Sequence, residues 1–166
     1  LARRLIEEVW NKGKLELIDE LLDPAYEGHD PLLGTLKRDT LRNSVKGYRS
    51  AFPDLRFEVN AVLGEGNFVT TRWTARGTHL GPLLGRESTG RSAQVTGISV
   101  AEIRNGRIVS DYAEWDVLGL FRQLGLQDVT VPLAVRKPAT VRLSSRWIVR
   151  RLRWPTISSR AASAAS

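Results

Sequence analysis

The order of helical and strand patterns along this sequence of 166 residues predicts an α+β fold. Apolar residues recur at helical spacing in three segments before residue 53, whereas from residue 55 they alternate with polar residues. Two hairpin signals, Gly64–Asn67 and Asn105–Gly106, interrupt the alternating region. Because helices and strands are segregated, we expect an antiparallel sheet of four or more strands. Glycines within the long strands should let it curve around three N-terminal helices and enclose an apolar cavity.

The charge distribution divides the chain near residue 126. Residues 1–126 carry 17 basic and 17 acidic side chains, whereas residues 127–166 carry 8 basic and 1 acidic side chain. We therefore expect a neutral globular domain over residues 1–126, followed by a basic, poorly ordered C-terminal extension over residues 127–166. Nucleic acid or a membrane surface would be a partner only through this extension, because basic tails can bind phosphate groups.

Composition argues against several kinds of functional site. The sequence contains no Cys and two His, which disfavours a thiolate nucleophile, Cys-ligated zinc and a three-histidine metal site. We expect neither a metal nor another cofactor. No apolar run approaches the roughly 20 residues that span a bilayer, and the first residues are amphipathic rather than typical of a secretory signal. A cytoplasmic location is the default expectation.

Three helices are predicted ahead of the sheet. Apolar stripes at helical spacing cover residues 1–12, 15–22 and 38–52. Pro24 stops the second helix, and the third ends before Pro53. Tyr48 lies on the apolar stripe of the third helix, where it is first of all a core residue, although its hydroxyl could also bind a ligand.

An extended segment over residues 26–31 precedes the third helix. Histidine is the side chain whose unperturbed titration lies near neutrality, so His29 could serve a cavity as an acid, a base or a hydrogen-bond donor. The structural alternative is a turn residue held by the neighbouring Asp30.

The sheet is predicted to begin at residue 55, with strands over residues 55–61 and 68–78. Six residues share one face of the second strand: Val69, Thr71, Trp73, Ala75, Gly77 and His79. Trp73 would pack in the core or form an aromatic wall for a ligand, and His79 ends the strand beside a glycine-rich loop. That loop lacks the Lys-Ser/Thr ending of a phosphate loop, which argues against a nucleotide site.

The segment from residue 107 to residue 124 contains the principal candidate site. Strict alternation places five of its residues on one face: Ile108, Ser110, Tyr112, Glu114 and Asp116. We predict that this face points into the cavity, so that Glu114 and Asp116 are available for acid/base chemistry. The structural alternatives are an N-cap role for Asp116 and an ion pair for Glu114.

The opposite face of the last two strands predicts a partner. It includes Val95, Val109 and Trp115, which are too apolar to face open water. A second copy of the chain is the simplest cover, so we expect a homodimer.

Several phrases in the chain carry a family resemblance when they are taken together. They are IEEVWNKG, LIDELLDPAYEGHDP, FPDLRFEV, VTTRWTARGTHLGPLLG, STGR, VTGISVAEIRNGRIV and EWDVLGLFRQLG. In this order they resemble the SnoaL-like polyketide cyclase, or ester cyclase, family of the nuclear transport factor 2-like superfamily. The resemblance covers residues 1–125.

This resemblance implies a cone-shaped curved sheet around an apolar cavity, a dimer, and aldol ring closure without a cofactor. By motif, Asp116 matches the acid/base aspartate of the family and His29 matches a polar pocket histidine. Two positions depart from the pattern: Ser99 stands where family members often have His or Asp, and Ala101 stands where they have an aromatic residue. The pocket would therefore be less polar there.

Aldol closure can be argued from chemistry alone. A carboxylate in an apolar pocket can remove a proton from a carbon between two carbonyls and later protonate the new alkoxide. We therefore predict a small-molecule enzyme that cyclises a polyketide-like or keto-ester substrate. The catalytic candidates are Asp116, His29 and Glu114, and the substrate-binding candidates are Tyr48, Trp73, His79, Ser99 and Tyr112. The alternatives are a non-catalytic binding module for an apolar small molecule and an isomerase or epoxide hydrolase-type reaction in the same cavity.

Overall fold

The computed structural model of the chain describes residues 1–126. Its helical segments are α1 (Ala2–Arg4), a π-helical segment that continues it (Leu5–Trp10), α2 (Leu17–Leu21), α3 (Arg38–Ala51) and α4 (Val117–Leu124). Its strands are β1 (Leu22–Asp30), β2 (Gly34–Leu36), β3 (Arg56–Glu65), β4 (Phe68–Thr78), β5 (Ser92–Arg104) and β6 (Arg107–Trp115). The extension expected over residues 127–166 lies outside the described part of the chain.

The strands form a six-stranded sheet in the order β2-β1-β6-β5-β4-β3. Neighbouring strands are antiparallel except β1 and β6, which run parallel. The α+β prediction is confirmed, but the expectation of a wholly antiparallel sheet is wrong at this one pairing. Hairpin turns fix the antiparallel direction within β3–β4 and within β5–β6, whereas β1 reaches β6 through a long connection that leaves either direction open.

The two predicted hairpins are present at their expected turns. Asn105 and Gly106 have φ angles of 49° and 73°, the left-handed conformation that a type I′ turn requires at both central positions. Gly66 has a φ of 57° in the turn between β3 and β4. Local turn chemistry therefore accounts for the pairing of β3 with β4 and of β5 with β6.

The N-terminal helical segment packs on the sheet and protects its edge. Asn11 N–H donates to the carbonyl of Ile6 at 3.0 Å, the wider spacing of a π-helix. The Asn11 side chain continues the hydrogen-bonding of the edge strand β3: its Nδ2 donates to the Phe57 carbonyl at 2.9 Å and its Oδ1 accepts from Phe57 N–H at 2.7 Å. This pairing satisfies the backbone N–H and carbonyl of Phe57 on the edge strand and fixes the helical segment against the sheet.

A β-bulge in β6 determines which of its side chains face the helices. Glu102 pairs with Ser110 and Ile103 pairs with Ile108, so Val109 is the extra residue. Beyond the bulge, the inward residues of β6 are Asp111, Ala113 and Trp115.

The bulge overturns the predicted face of β6. Tyr112 is 54% exposed and Glu114 is also exposed, so both lie on the outer face of the sheet. Conversely, Val95 and Trp115, which were expected to lie outside, border the cavity. The apolar outer surface that suggested a homodimer therefore loses two of its three residues, and the homodimer stays a prediction.

Within residues 1–126, no helix has both the length and the apolar character that crossing a membrane requires.

Candidate active site

A cavity of about 130 Å³ lies between the sheet and the helices. Most of its wall is apolar, and seven aromatic residues contribute to it: Trp10, Tyr26, Tyr48, Phe52, Phe57, Trp73 and Trp115. An enclosed apolar space with a few polar groups is the usual form of a small-molecule site. The polar groups therefore decide what chemistry the cavity can support.

Small residues on the sheet leave room for this cavity. Gly97 pairs with Trp73 on one side and Trp115 on the other. A Cβ atom at Gly97 would lie 2.3 Å from Cζ2 of Trp73, so only glycine lets that indole lie across the strand. In the next row Ser99 pairs with Ala113. The result is a cavity with small residues on the sheet side between aromatic walls.

Asp111 is the carboxylate that the bulge turns into the cavity. It borders the cavity, and its Oδ1 is inaccessible to solvent and has no hydrogen-bond partner among the described residues. Burial, together with the negative charge of Asp30, raises the pKa of Asp111 to about 7. A carboxylate with these properties can take up and release a proton near neutral pH.

Asp30 forms the second carboxylate of the site. Gly28 pairs with Asp111 across β1 and β6, and Asp30 lies two residues beyond Gly28 on the same face. Its Oδ2 accepts a hydrogen bond from Trp115 Nε1 at 2.9 Å, and its Oδ1 accepts from the N–H groups of Leu32 and Leu33 at 2.9 and 2.8 Å. These three donors hold the carboxylate and the indole in fixed positions.

Two tyrosines place phenol groups near the carboxylates. Burial raises the pKa of Tyr26 and Tyr48 above the ordinary value, and the charge of Asp30 adds to the effect at both. Both phenols therefore keep their protons across the physiological pH range. The Tyr48 hydroxyl is buried and has no hydrogen-bond partner within residues 1–126.

Two of the predicted substrate-binding residues meet each other on the cavity wall. Trp73 Nε1 donates a hydrogen bond to Ser99 Oγ at 3.1 Å. Thr71, which pairs with Ser99 across β4 and β5, also borders the cavity, and its buried hydroxyl lacks a partner in the described part of the chain. Tyr48, Trp73 and Ser99 all border the cavity, and their contact with a substrate stays a prediction.

Asp116 does not face the cavity but lies at the start of α4. Its Oδ1 accepts a hydrogen bond from Gly119 N–H at 2.8 Å as the N-cap of α4, and the residue is exposed. Among residues 1–126, neither Asp116 nor Glu114 belongs to the cavity lining. The predicted inward orientation of both is wrong, because the extra residue at Val109 reverses the alternation.

The cap leads to a testable prediction for Asp116. Asp116→Ala should lower the free energy of unfolding by about 1 kcal/mol, because α4 loses the acceptor for one of its first N–H groups. Asp116→Asn should retain nearly full stability, since Asn is a comparable N-cap. Urea denaturation of the two variants beside the parent protein measures the difference. Equal stability of Asp116→Ala and the parent would contradict the capping role.

His29 and Tyr112 meet on the outer face of the sheet. Their rings stack with centroids 4.3 Å apart, and His29 Nε2 lies 3.5 Å from Glu27 Oε1. His29 is among the residues at the cavity boundary, but its ring is engaged on the other face. Tyr112 is not part of the cavity lining within residues 1–126.

His79 is buried in the core beside the cavity. Its Nδ1 accepts a hydrogen bond from Thr89 N–H at 3.2 Å, and its ring packs 5.4 Å from that of Phe52. It too is absent from the cavity lining within the described residues. The structure thus gives His79 the role of holding the loop that follows β4, rather than the predicted contact with a ligand.

Comparison with known proteins identifies the family. A family model for SnoaL-like polyketide cyclases matches residues 1–124. The chain belongs to the SnoaL-like polyketide cyclase family.

Individual relatives of this SnoaL-like protein are named as cyclases. Aklanonic acid methyl ester cyclase DauD of Streptomyces sp. (strain C5) is 30% identical over 132 residues, which cover 75% of this chain and 80% of DauD. Aklanonic acid methyl ester cyclase DnrD of Streptomyces peucetius is 30% identical over 137 residues, covering 75% and 88%. The crystal structure of IdmH from Streptomyces antibioticus, a candidate polyketide cyclase, superposes with a TM-score of 0.66 at 29% identity, covering 75% and 95%. These similarities support a cyclase role.

The sequence prediction missed both cavity carboxylates of this SnoaL-like protein. One signal could have identified Asp111: it shares its side of the alternation with Val109, Ala113 and Trp115, which are more apolar than the residues on the other side. An amphipathic strand buries its more apolar face. Asp30 gave no such signal, because its neighbours predict only a turn.

Proposed function

We propose that the protein catalyses the intramolecular aldol cyclisation of a polyketide-like or keto-ester substrate by carboxylate acid/base catalysis. The observation that carries this proposal is Asp111, a carboxylate with an unpartnered oxygen inside an apolar cavity. A pKa of about 7 lets Asp111 act as a base in one step and as an acid in the next.

The reaction needs one proton to leave and to return. The Asp111 carboxylate removes a proton from a carbon between two carbonyl groups, and the electron pair of that C–H bond forms the enolate. The enolate carbon attacks a second carbonyl carbon of the same molecule, so that a carbon–carbon bond forms and the carbonyl π electrons become an alkoxide. Protonated Asp111 then gives its proton to the alkoxide. The product is an isomer of the substrate, and no electron acceptor or donor is consumed.

Asp30 positions this chemistry through its charge and its hydrogen bonds. Its negative charge is one of the two causes of the raised pKa of Asp111. Its hydrogen bond to Trp115 Nε1 holds an indole at the cavity wall, where an aromatic substrate could stack. Its oxygens already accept three N–H groups, which leaves Asp111 as the carboxylate free to meet a substrate.

The relatives suggest a compound for the first test. DauD and DnrD are named as cyclases of aklanonic acid methyl ester, a keto ester. Incubation of the protein with this ester in the presence of a metal chelator should yield an isomeric product, which has the mass of the substrate but a different chromatographic retention time and a new stereocentre bearing a hydroxyl group. Liquid chromatography with mass spectrometry and nuclear magnetic resonance measures this outcome.

The same experiment separates catalysis from binding. Recovery of the ester unchanged from a saturated complex would replace the cyclase proposal with a binding module for an apolar small molecule. Failure of the ester to bind would reject this substrate, and other polyketone esters would then be compared in the same assay.

A further inference from the structure

Two hydroxyl groups at the cavity have no role in the acid/base steps above. The Tyr48 hydroxyl and Thr71 Oγ1 are both inaccessible to solvent and lack a hydrogen-bond partner within the described residues. Both residues border the cavity. Thr71 as a whole is only 1% exposed. Since buried hydroxyl groups in proteins are nearly always hydrogen-bonded, each of these lacks a partner that a bound ligand could supply.

The two hydroxyls approach the cavity from different elements. Tyr48 extends from α3, and its phenol lies close enough to Asp30 for that charge to raise its pKa. Thr71 extends from β4, in the row in which it pairs with Ser99 and Ser99 pairs with Ala113. A ligand that satisfied both would therefore need polar atoms at two separate points.

The charges at the cavity favour a neutral hydrogen-bond acceptor at these points. Tyr48 keeps its proton and can donate a hydrogen bond, so an acceptor atom of a ligand would satisfy it. Two carboxylates, Asp30 and Asp111, border the same space and would repel a carboxylate ligand. Arg76 also borders the cavity, but its guanidinium is engaged with Glu58 Oε2 at 2.6 Å. A ketone or ester carbonyl is a neutral acceptor of the required kind.

We propose that the Tyr48 and Thr71 hydroxyls each donate a hydrogen bond to one carbonyl oxygen of a neutral 1,3-dicarbonyl ligand. This proposal rests on the proposed cyclisation and names the groups that recognise its substrate. When Asp111 removes the proton between the carbonyls, negative charge develops on the oxygens that the hydroxyls contact, so the same hydrogen bonds strengthen as the enolate forms. Tyr48 and Thr71 thus select the substrate and stabilise its reactive form.

Binding of two simple probes tests this recognition without turnover. The first, 1-phenylbutane-1,3-dione, carries both carbonyls, and the second, butylbenzene, carries none. Trp10, Trp73 and Trp115 border the cavity, so tryptophan fluorescence reports binding of either probe. Tyr48→Phe and Thr71→Val remove each hydroxyl and keep most of the side-chain shape.

We expect each substitution to weaken binding of the dione about threefold to tenfold, the effect of one neutral hydrogen bond, and to leave butylbenzene binding within about twofold. Neither variant should melt at a lower temperature than the parent, because the hydroxyls it removes are unpaired in the free protein. Unchanged affinity for the dione, or equal losses for both probes, would overturn the proposal.

The outcome is distinguishable from failure of the cyclase proposal. If the keto ester is bound but not converted while both variants lose affinity for the dione alone, the reaction is rejected and the carbonyl site stands. If the ester is converted and both variants bind the dione as the parent does, the carbonyl site is rejected and the reaction stands.

Discussion

Asp111→Asn should lower the rate of cyclisation by about 10² to 10⁴, the range expected for removal of a positioned general base. The amide keeps the size of the carboxyl group but cannot accept the substrate proton. Substrate affinity should change far less than the rate, because the aromatic wall and the hydroxyls of the cavity remain. Single-turnover kinetics with the keto ester, together with its dissociation constant, measures both quantities.

Two nearby carboxylates supply matched controls. Glu114→Gln and Asp116→Asn each remove one negative charge close to Asp111 in the sequence. Within residues 1–126, neither Glu114 nor Asp116 lines the cavity. Both should retain activity within a fewfold of the parent. If Asp116→Asn lost the rate and Asp111→Asn kept it, the family-based assignment of the base to Asp116 would replace the one proposed here.

The stability of the protein should depend on pH through the same residue. The pKa of Asp111 is about 7 in the folded protein and near its ordinary value of 3.8 in the unfolded chain. The folded state binds the Asp111 proton more tightly than the unfolded chain does. The contribution of protonated Asp111 to stability is therefore fully present below about pH 4 and is lost as pH rises through 7. A shift of this size corresponds to at most about 4 kcal/mol above pH 7.

Comparison of Asp111→Asn with the parent isolates this contribution. Other groups oppose it: hydrogen bonds from Lys12 and Lys14 lower the pKa of Glu8 to about 2, and a lowered carboxyl pKa favours stability at higher pH. These contributions to stability are the same in Asp111→Asn and the parent, so they cancel when the two free energies of unfolding are subtracted. Urea denaturation from pH 4 to pH 8 should show Asp111→Asn gaining stability relative to the parent as pH rises. A difference that stays constant with pH would contradict the raised pKa.

Local sequence signals determined much of the fold. The turn at Asn105–Gly106 needs two left-handed residues, and its chemistry alone predicts the pairing of β5 with β6. The apolar stripe of α3 and the alternation of β4 predicted that Tyr48 and Trp73 face the interior, and in the structure both border the cavity. Signals of this kind act over a few residues, so they can be interpreted without knowledge of the rest of the chain.

The catalytic face, by contrast, was decided by tertiary structure. A single extra residue at Val109 reverses the alternation of β6, and no turn residue or proline marks it in the sequence. It turns Asp111 inward and Glu114 outward, whereas the parallel pairing of β1 with β6 brings Asp30 to the same face. Strand register depends on how the whole sheet packs against the helices, and a shift of one residue moves every following side chain to the opposite face. The sequence by itself therefore determined the family and most helices and strands, although not β2, and packing determined which carboxylates share the cavity.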